Sequence, residues 1–140
     1  MAIFQNALQK FLEENITKAN YITPNVIAKA TQITDREGDD KYLVHQKIGG
    51  TSPLGLNGPL YVYETLFQID SYAYRKIDSQ TIMQQAKNKL NGFQGEMGEF
   101  KVFGIEINSH EDDYEADTEL YREQLDINIL YAYKGVKINE

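Results

Sequence analysis

A chain of 140 residues has the length of one ordinary domain, enough for a two-layer core that hides roughly two-thirds of the unfolded surface. Its 21 acidic against 14 basic residues leave a formal charge of −7, and no Lys/Arg cluster is present, which excludes a nucleic-acid binder that works by neutralising phosphates. Without cysteine there is no disulfide framework and no thiolate metal site, and without a run of about 18 apolar residues no membrane span is expected.

Ten Tyr and six Phe with no Trp favour sheet over helical bundle. The amino terminus lacks the basic-then-apolar order of a secretion signal, which predicts a chain made inside the cell. Ala2 to Asn15 reads as an amphipathic helix, with Ile3, Phe4, Ala7, Leu8, Phe11 and Leu12 recurring at three- and four-residue steps. Residues 16–40 are less regular. Pro24 disfavours helix at Thr23, Arg36–Asp40 is a turn by composition, and Val26–Ile33 fits a short strand or a helical turn equally well.

Lys41 to Ile48 reads as a strand with Tyr42, Val44, Gln46 and Ile48 on one face and Leu43 and His45 on the other. The Gly/Pro-rich stretch Gly49–Pro59 predicts an exposed loop. Leu60–Tyr74 is then a long strand. Phe67, Ile69 and Ala73 oppose Leu66, Tyr72 and Tyr74, so either both faces are covered or a bulge resets the register. Asp78–Leu90 reads as a second helix, capped by Asp78 or Ser79 and ended near Gly92. After a turn at Gly95–Gly98, Phe100–Ile107 is a third strand, and the acidic stretch Glu111–Glu119 is expected to be a loop. The clearest signal follows in Leu120–Tyr133. Leu125, Ile127, Ile129, Tyr131 and Tyr133 alternate with Gln124, Asp126 and Asn128, the pattern of an antiparallel strand with one covered and one polar face. Lys134–Glu140 reads as a tail. The expected fold is α+β, an antiparallel sheet of about four strands with two helices on one face and a long loop between the first two strands, as a single domain over residues 1–140.

The residues offer little chemistry. His110, Glu111, Asp112, Asp113, Glu115 and Asp117 form the cluster most like a hard-metal site, but the stretch has no Gly and fails the spacing of a calcium loop. A solvated or partner-facing acidic segment explains it better. Gly49-Gly50-Thr51-Ser52 lacks the Lys and the following helix of a phosphate loop. His45 sits in a strand with no acidic or Ser partner near it in sequence, and no nucleophile elbow exists. Tyrosines unaccompanied by Lys and Arg suit packing more than base stacking. No enzyme, metal or cofactor is expected.

A resemblance sharpens this. The strand ending Ile48-Gly49-Gly50, the strand Phe67-Gln68-Ile69-Asp70-Ser71-Tyr72-Ala73, the helix opening near Asp78, and Asp112-Asp113-Tyr114-Glu115 through Tyr121-Arg122-Glu123-Gln124-Leu125-Asp126-Ile127 together resemble the tail completion (tail terminator) proteins of long-tailed bacteriophages and prophages. The resemblance covers Tyr42 to Tyr133 and rests on element order and short patterns; the acidic segment is heavier than the family pattern. It implies a six-fold ring on the last ring of the tail tube, a hexamer in the virion from subunits that are monomers alone. Such a ring stops tube growth, offers the head completion (stopper) protein a docking surface, and lets DNA pass without binding it. It also implies virion localisation, after assembly in the host cytoplasm. On this reading Glu111, Asp112, Asp113, Glu115 and Asp117 face a partner or the lumen. Gly49, Gly50, Thr51, Leu54, Leu56 and Asn57 contact the tube, and Gln124, Asp126 and Asn128 lie on an inter-subunit strand. The alternatives are a head completion protein of the neck and a cytosolic protein-binding adaptor.

Overall fold

The structure is a computed structural model, and residues 3–24, 41–50, 62–116 and 119–134 are described. The elements are α1 (Phe4–Asn15), β1 (Tyr21–Thr23), β2 (Tyr42–Gly50), β3 (Tyr63–Ala73), α2 (Lys76–Leu90), β4 (Gly95–Met97), β5 (Phe100–Glu115) and β6 (Leu120–Tyr133). They form a six-stranded sheet in the order β1-β2-β3-β6-β5-β4 that curls into a half-barrel.

This corrects the expected four-stranded antiparallel sheet. β1 runs parallel to β2, Tyr21 beside Tyr42, so the sheet is mixed, and β4 adds an antiparallel hairpin edge to β5. Both extra strands are three residues long, too short to show an alternation in sequence. Of the expected loop after the first long strand, Gly49 and Gly50 instead close β2, and the rest lies outside the described residues.

Alternation sets the core. Phe67 and Ile69 of β3 and Leu125, Ile127, Ile129 and Tyr131 of β6 meet Phe4, Leu8 and Leu12 of α1 and Ile82, Met83, Ala86 and Leu90 of α2 in one buried cluster. Each of the Leu, Ile, Phe and Met side chains among them contributes about 1.5–3 kcal/mol on leaving water. Phe4 is the aromatic key: it stacks on Tyr131 with centroids 3.9 Å apart and meets Phe100 edge-on at 5.3 Å. β3 is covered on both faces, because Tyr72 joins Tyr42, Val44 and Leu120 in a second cluster. Its ladder with β6 runs unbroken from Tyr63 to Ala73, and the bulge lies in β2, between Lys47 and Gly49. α2 starts earlier than its cap signals predict. Arg75 is its N-cap, with no side-chain cap bond, and Asp78 is occupied by the Arg75 guanidinium at 2.9 Å. No described helix is long and apolar enough to cross a membrane.

The largest local correction concerns the acidic stretch. β5 continues through Glu115, with Glu111 opposite Gln124, Asp112 opposite Glu123 and Asp113 opposite Arg122. Pairing with a strongly strand-forming partner overrides the poor β-propensity of Asp and Glu.

Candidate assembly surface

The face of the sheet away from the helices carries a polar ladder. Gln68 Nε2 donates to Asp70 Oδ2 at 2.9 Å, and Arg122 Nη2 donates to the same oxygen at 3.2 Å and to Gln124 Oε1 at 2.7 Å. Ser109 Oγ donates to Asp126 Oδ2 at 3.2 Å, and Asn128 Nδ2 donates to Glu64 Oε2. Three adjacent strands supply most of these groups because facing residues of an antiparallel pair point to one side. Asp70 is 1% exposed, and its pKa is raised by burial, against which the Gln68 hydrogen bond and the Arg122 charge act. Asp70 Oδ1 and Asn128 Oδ1 are buried with no hydrogen-bond partner among the described residues. Gly50, Glu64, Leu66, Asn108 and Asn128 border a cleft of about 280 Å³ on this face.

Gln124 and Asp126, two residues of the expected inter-subunit strand, are half-buried members of the ladder, and Asn128 is 8% exposed. The sequence reading missed Asp70, Gln68, Arg122, Glu64 and Ser109. Their signal was available for β6, where Arg122 continues the parity of Gln124, but the partners on β3 and β5 depend on register, which spacing alone does not set.

Glu111, Asp112 and Asp113 are exposed at the far end of β5; Glu115 closes that strand, and Asp117 lies outside the described residues. Their partners place Glu111 and Asp113 on the ladder face and Asp112 on the helix-covered face. The hairpin is braced from the helix side. His110 Nε2 bonds the buried Glu123 at 2.7 Å, Lys87 Nζ reaches His110 Nδ1 at 3.4 Å, and Lys76 Nζ lies 3.9 Å from Asp112.

Gly49 and Gly50 end β2, while Thr51, Leu54, Leu56 and Asn57 lie outside the described residues. Gly49 is level with Leu66, Asn128 and Glu106 across the sheet. It is therefore three strands and about 20 Å along the strand direction from Asp112, so these two candidate regions do not converge.

His45 is a structural group. It is fully buried, Gln5 Nε2 lies 3.1 Å from its Nδ1, and Gln9 Oε1 lies 2.6 Å from its Nε2. Burial lowers its pKa to about 4, so the ring is neutral at pH 7 and ties α1 to β2. Among the described residues no group of three or more His, Cys, Asp or Glu is placed to hold a metal.

No protein-family model matches the chain, and no curated protein matches it in sequence. Among solved structures, it shares its fold with a chain of a structure described as "Virion of native gene transfer agent (GTA) particle", at a TM-score of 0.60 and 12% identity, over 91% of this chain and 93% of that one.

Proposed function

We propose that this chain is a non-enzymatic structural protein of a phage-like virion, a tail completion protein that caps the tail tube as a ring and forms the tail side of the head–tail joint. The observation that carries the reading is the likeness to the gene transfer agent virion chain. It spans nearly the whole length of both chains, so a complete fold is shared and not an embedded motif. The sequence resemblance to tail completion proteins supplies the finer assignment.

The electrostatics support it. The polar face combines Glu64, Asp126, Glu106, Glu111 and Asp113 with Arg122 and Lys101, over the buried Asp70, and is net negative. If that face lines the hole, like charge keeps phosphate from adhering as DNA slides past. The helices then lie outward, and the acidic hairpin faces the lumen or neck. On this reading the tube contact falls to Gly49, Gly50 and the residues that follow them, which lie outside the described residues.

The test is negative-stain microscopy of purified protein mixed with tail tubes. Rings capping tube ends, and tubes that stop lengthening once the protein is added, are the expected result. Uncapped, growing tubes together with binding to the head connector would move the chain to the stopper position, and binding to neither would overturn the virion reading.

A further inference from the structure

The two long sides of the sheet differ in how they end. β4 covers Phe100–Val102 of β5 and the Gly92 N–H donates to the Ile105 carbonyl at 3.0 Å, and from Glu106 to Glu115 no described strand lies outside it. Such an edge presents a row of main-chain donors and acceptors. β5 contains no Pro, and its register shifts lie at Val102/Gly104 and Ile107/Ser109. Beyond Ser109 it runs regularly to Glu115, with acidic side chains that repel a second acidic edge and admit a basic or neutral one. On the opposite side β1 covers Tyr42–Val44 of β2, and the Ile22 carbonyl of β1 accepts Gln9 Nε2 at 2.8 Å. Above β1, Gln46–Gly50 of β2 have no described strand outside them.

We propose that copies of this chain join head to tail through these two edges, the acidic end of β5 in one copy pairing with the open end of β2 in the next, so that the sheet continues from subunit to subunit. This rests on the ring reading above and specifies its interface.

Three observations carry it. Strand direction comes first: β5 and β3 run one way and β2 and β6 the other, so β5 laid beside β2 of an identically oriented copy is antiparallel, the more stable ladder. Charge comes second. The β5 edge bears Glu106, Glu111, Asp112 and Asp113, whereas β2 bears Lys47 and no acid. Joining two β5 edges about a two-fold axis would bring two acidic edges together, which is unfavourable. Register is third. β1 lies beside Val44 and stops an incoming strand there, leaving Gln46–Gly50 for the end of β5. Lys47, opposite the core residue Phe67, and Asp112, opposite Glu123, both lie on the helix-covered face, and same-face pairing sets them side by side with Tyr114 near His45. Asp112 is available, since its contact with Lys76 is long and both side chains are more than half exposed. A head-to-tail contact of this kind closes into a ring where the rotation permits.

The chain has no cysteine, so Lys47→Cys combined with Asp112→Cys gives a clean probe. Facing residues of an antiparallel pair hold their Cβ atoms about 4.5–5.5 Å apart, near disulfide reach. The double variant, alone and assembled on tail tubes, is oxidised and run on a non-reducing gel beside each single variant. A ladder of linked multimers from the double variant only is the expected result. Rings visible by negative stain without a ladder overturn the edge pairing and leave the ring reading intact. A ladder without capped tubes retains the pairing and overturns the ring reading, and neither ladder nor rings overturns both. As a second measurement, Lys47→Glu abolishes the multimers and adding Asp112→Lys restores them; failure of the swap to restore them counts against the proposed register.

Discussion

At the scale of single residues, the ionisable groups that matter most to stability are two buried ones, His45 and Asp70. His45 is neutral in the folded protein, with its pKa near 4, and returns to the ordinary value of 6.5 when unfolded. Between these values the unfolded chain binds a proton that the native chain does not. Stability therefore falls as pH drops from about 6.5 toward 4, by about 3 kcal/mol in total. Asp70 works in the opposite sense, since its raised pKa makes protonation favour the folded form as pH falls. Urea melts at pH 7.5 and 4.5 on the wild type and on His45→Gln separate the two, and the variant is expected to lose the His45 share of the drop. Removing Arg122 while keeping Asp70 leaves a buried carboxylate short of its cation, and Arg122→Met is expected to cost about 3–5 kcal/mol in the same assay at pH 7.5.

At the scale of elements, α1 depends on a few contacts. Phe4→Ala removes the ring that touches Phe67, Phe100 and Tyr131 and is expected to destabilise by about 3–5 kcal/mol, read as a lowered midpoint with unchanged slope. The turn from β4 to β5 is held against the same helix. Gly98 has φ +60°, and a Cβ there would lie 3.1 Å from Ala7 Cβ. Gly98→Ala therefore combines a left-handed backbone penalty of roughly 1–2 kcal/mol with crowding against α1, and thermal melting should show a loss at least that large. Helices and long strands were legible in sequence because their periods are local: Leu8 and Leu12 recur at one helical spacing, and Leu125, Ile127 and Ile129 at one strand spacing. The start of α2 was misread because Asp78 and Ser79 look like caps, yet Asp78 bonds Arg75 and Ser79 Oγ donates to the Lys76 carbonyl. The acidic end of β5 was misread as loop because its composition opposes strand while its partner, β6, imposes one.

At the scale of the whole molecule, the acidic surface is predicted to be functional and not structural. Replacing Glu111, Asp112 and Asp113 together by Ala should leave the melting midpoint within about 1 kcal/mol of wild type, as exposed substitutions do. The same variant should reduce the yield of capped tubes and DNA-delivering particles. Unaltered assembly and delivery would remove these residues from any essential role.

By itself the sequence determined an acidic, cysteine-free chain, its two helices, its long strands as far as Ile107 of β5, and the polar parity of Gln124, Asp126 and Asn128, because composition and periodicity are properties of neighbouring residues. Only the tertiary structure decided that the described sheet has six strands and is mixed, that Asp70 and Arg122 meet across β3 and β6, and that no described strand covers β5 from Glu106 onward. Each of those depends on register between segments distant in the chain, and a shift of one residue would turn every side chain to the other face.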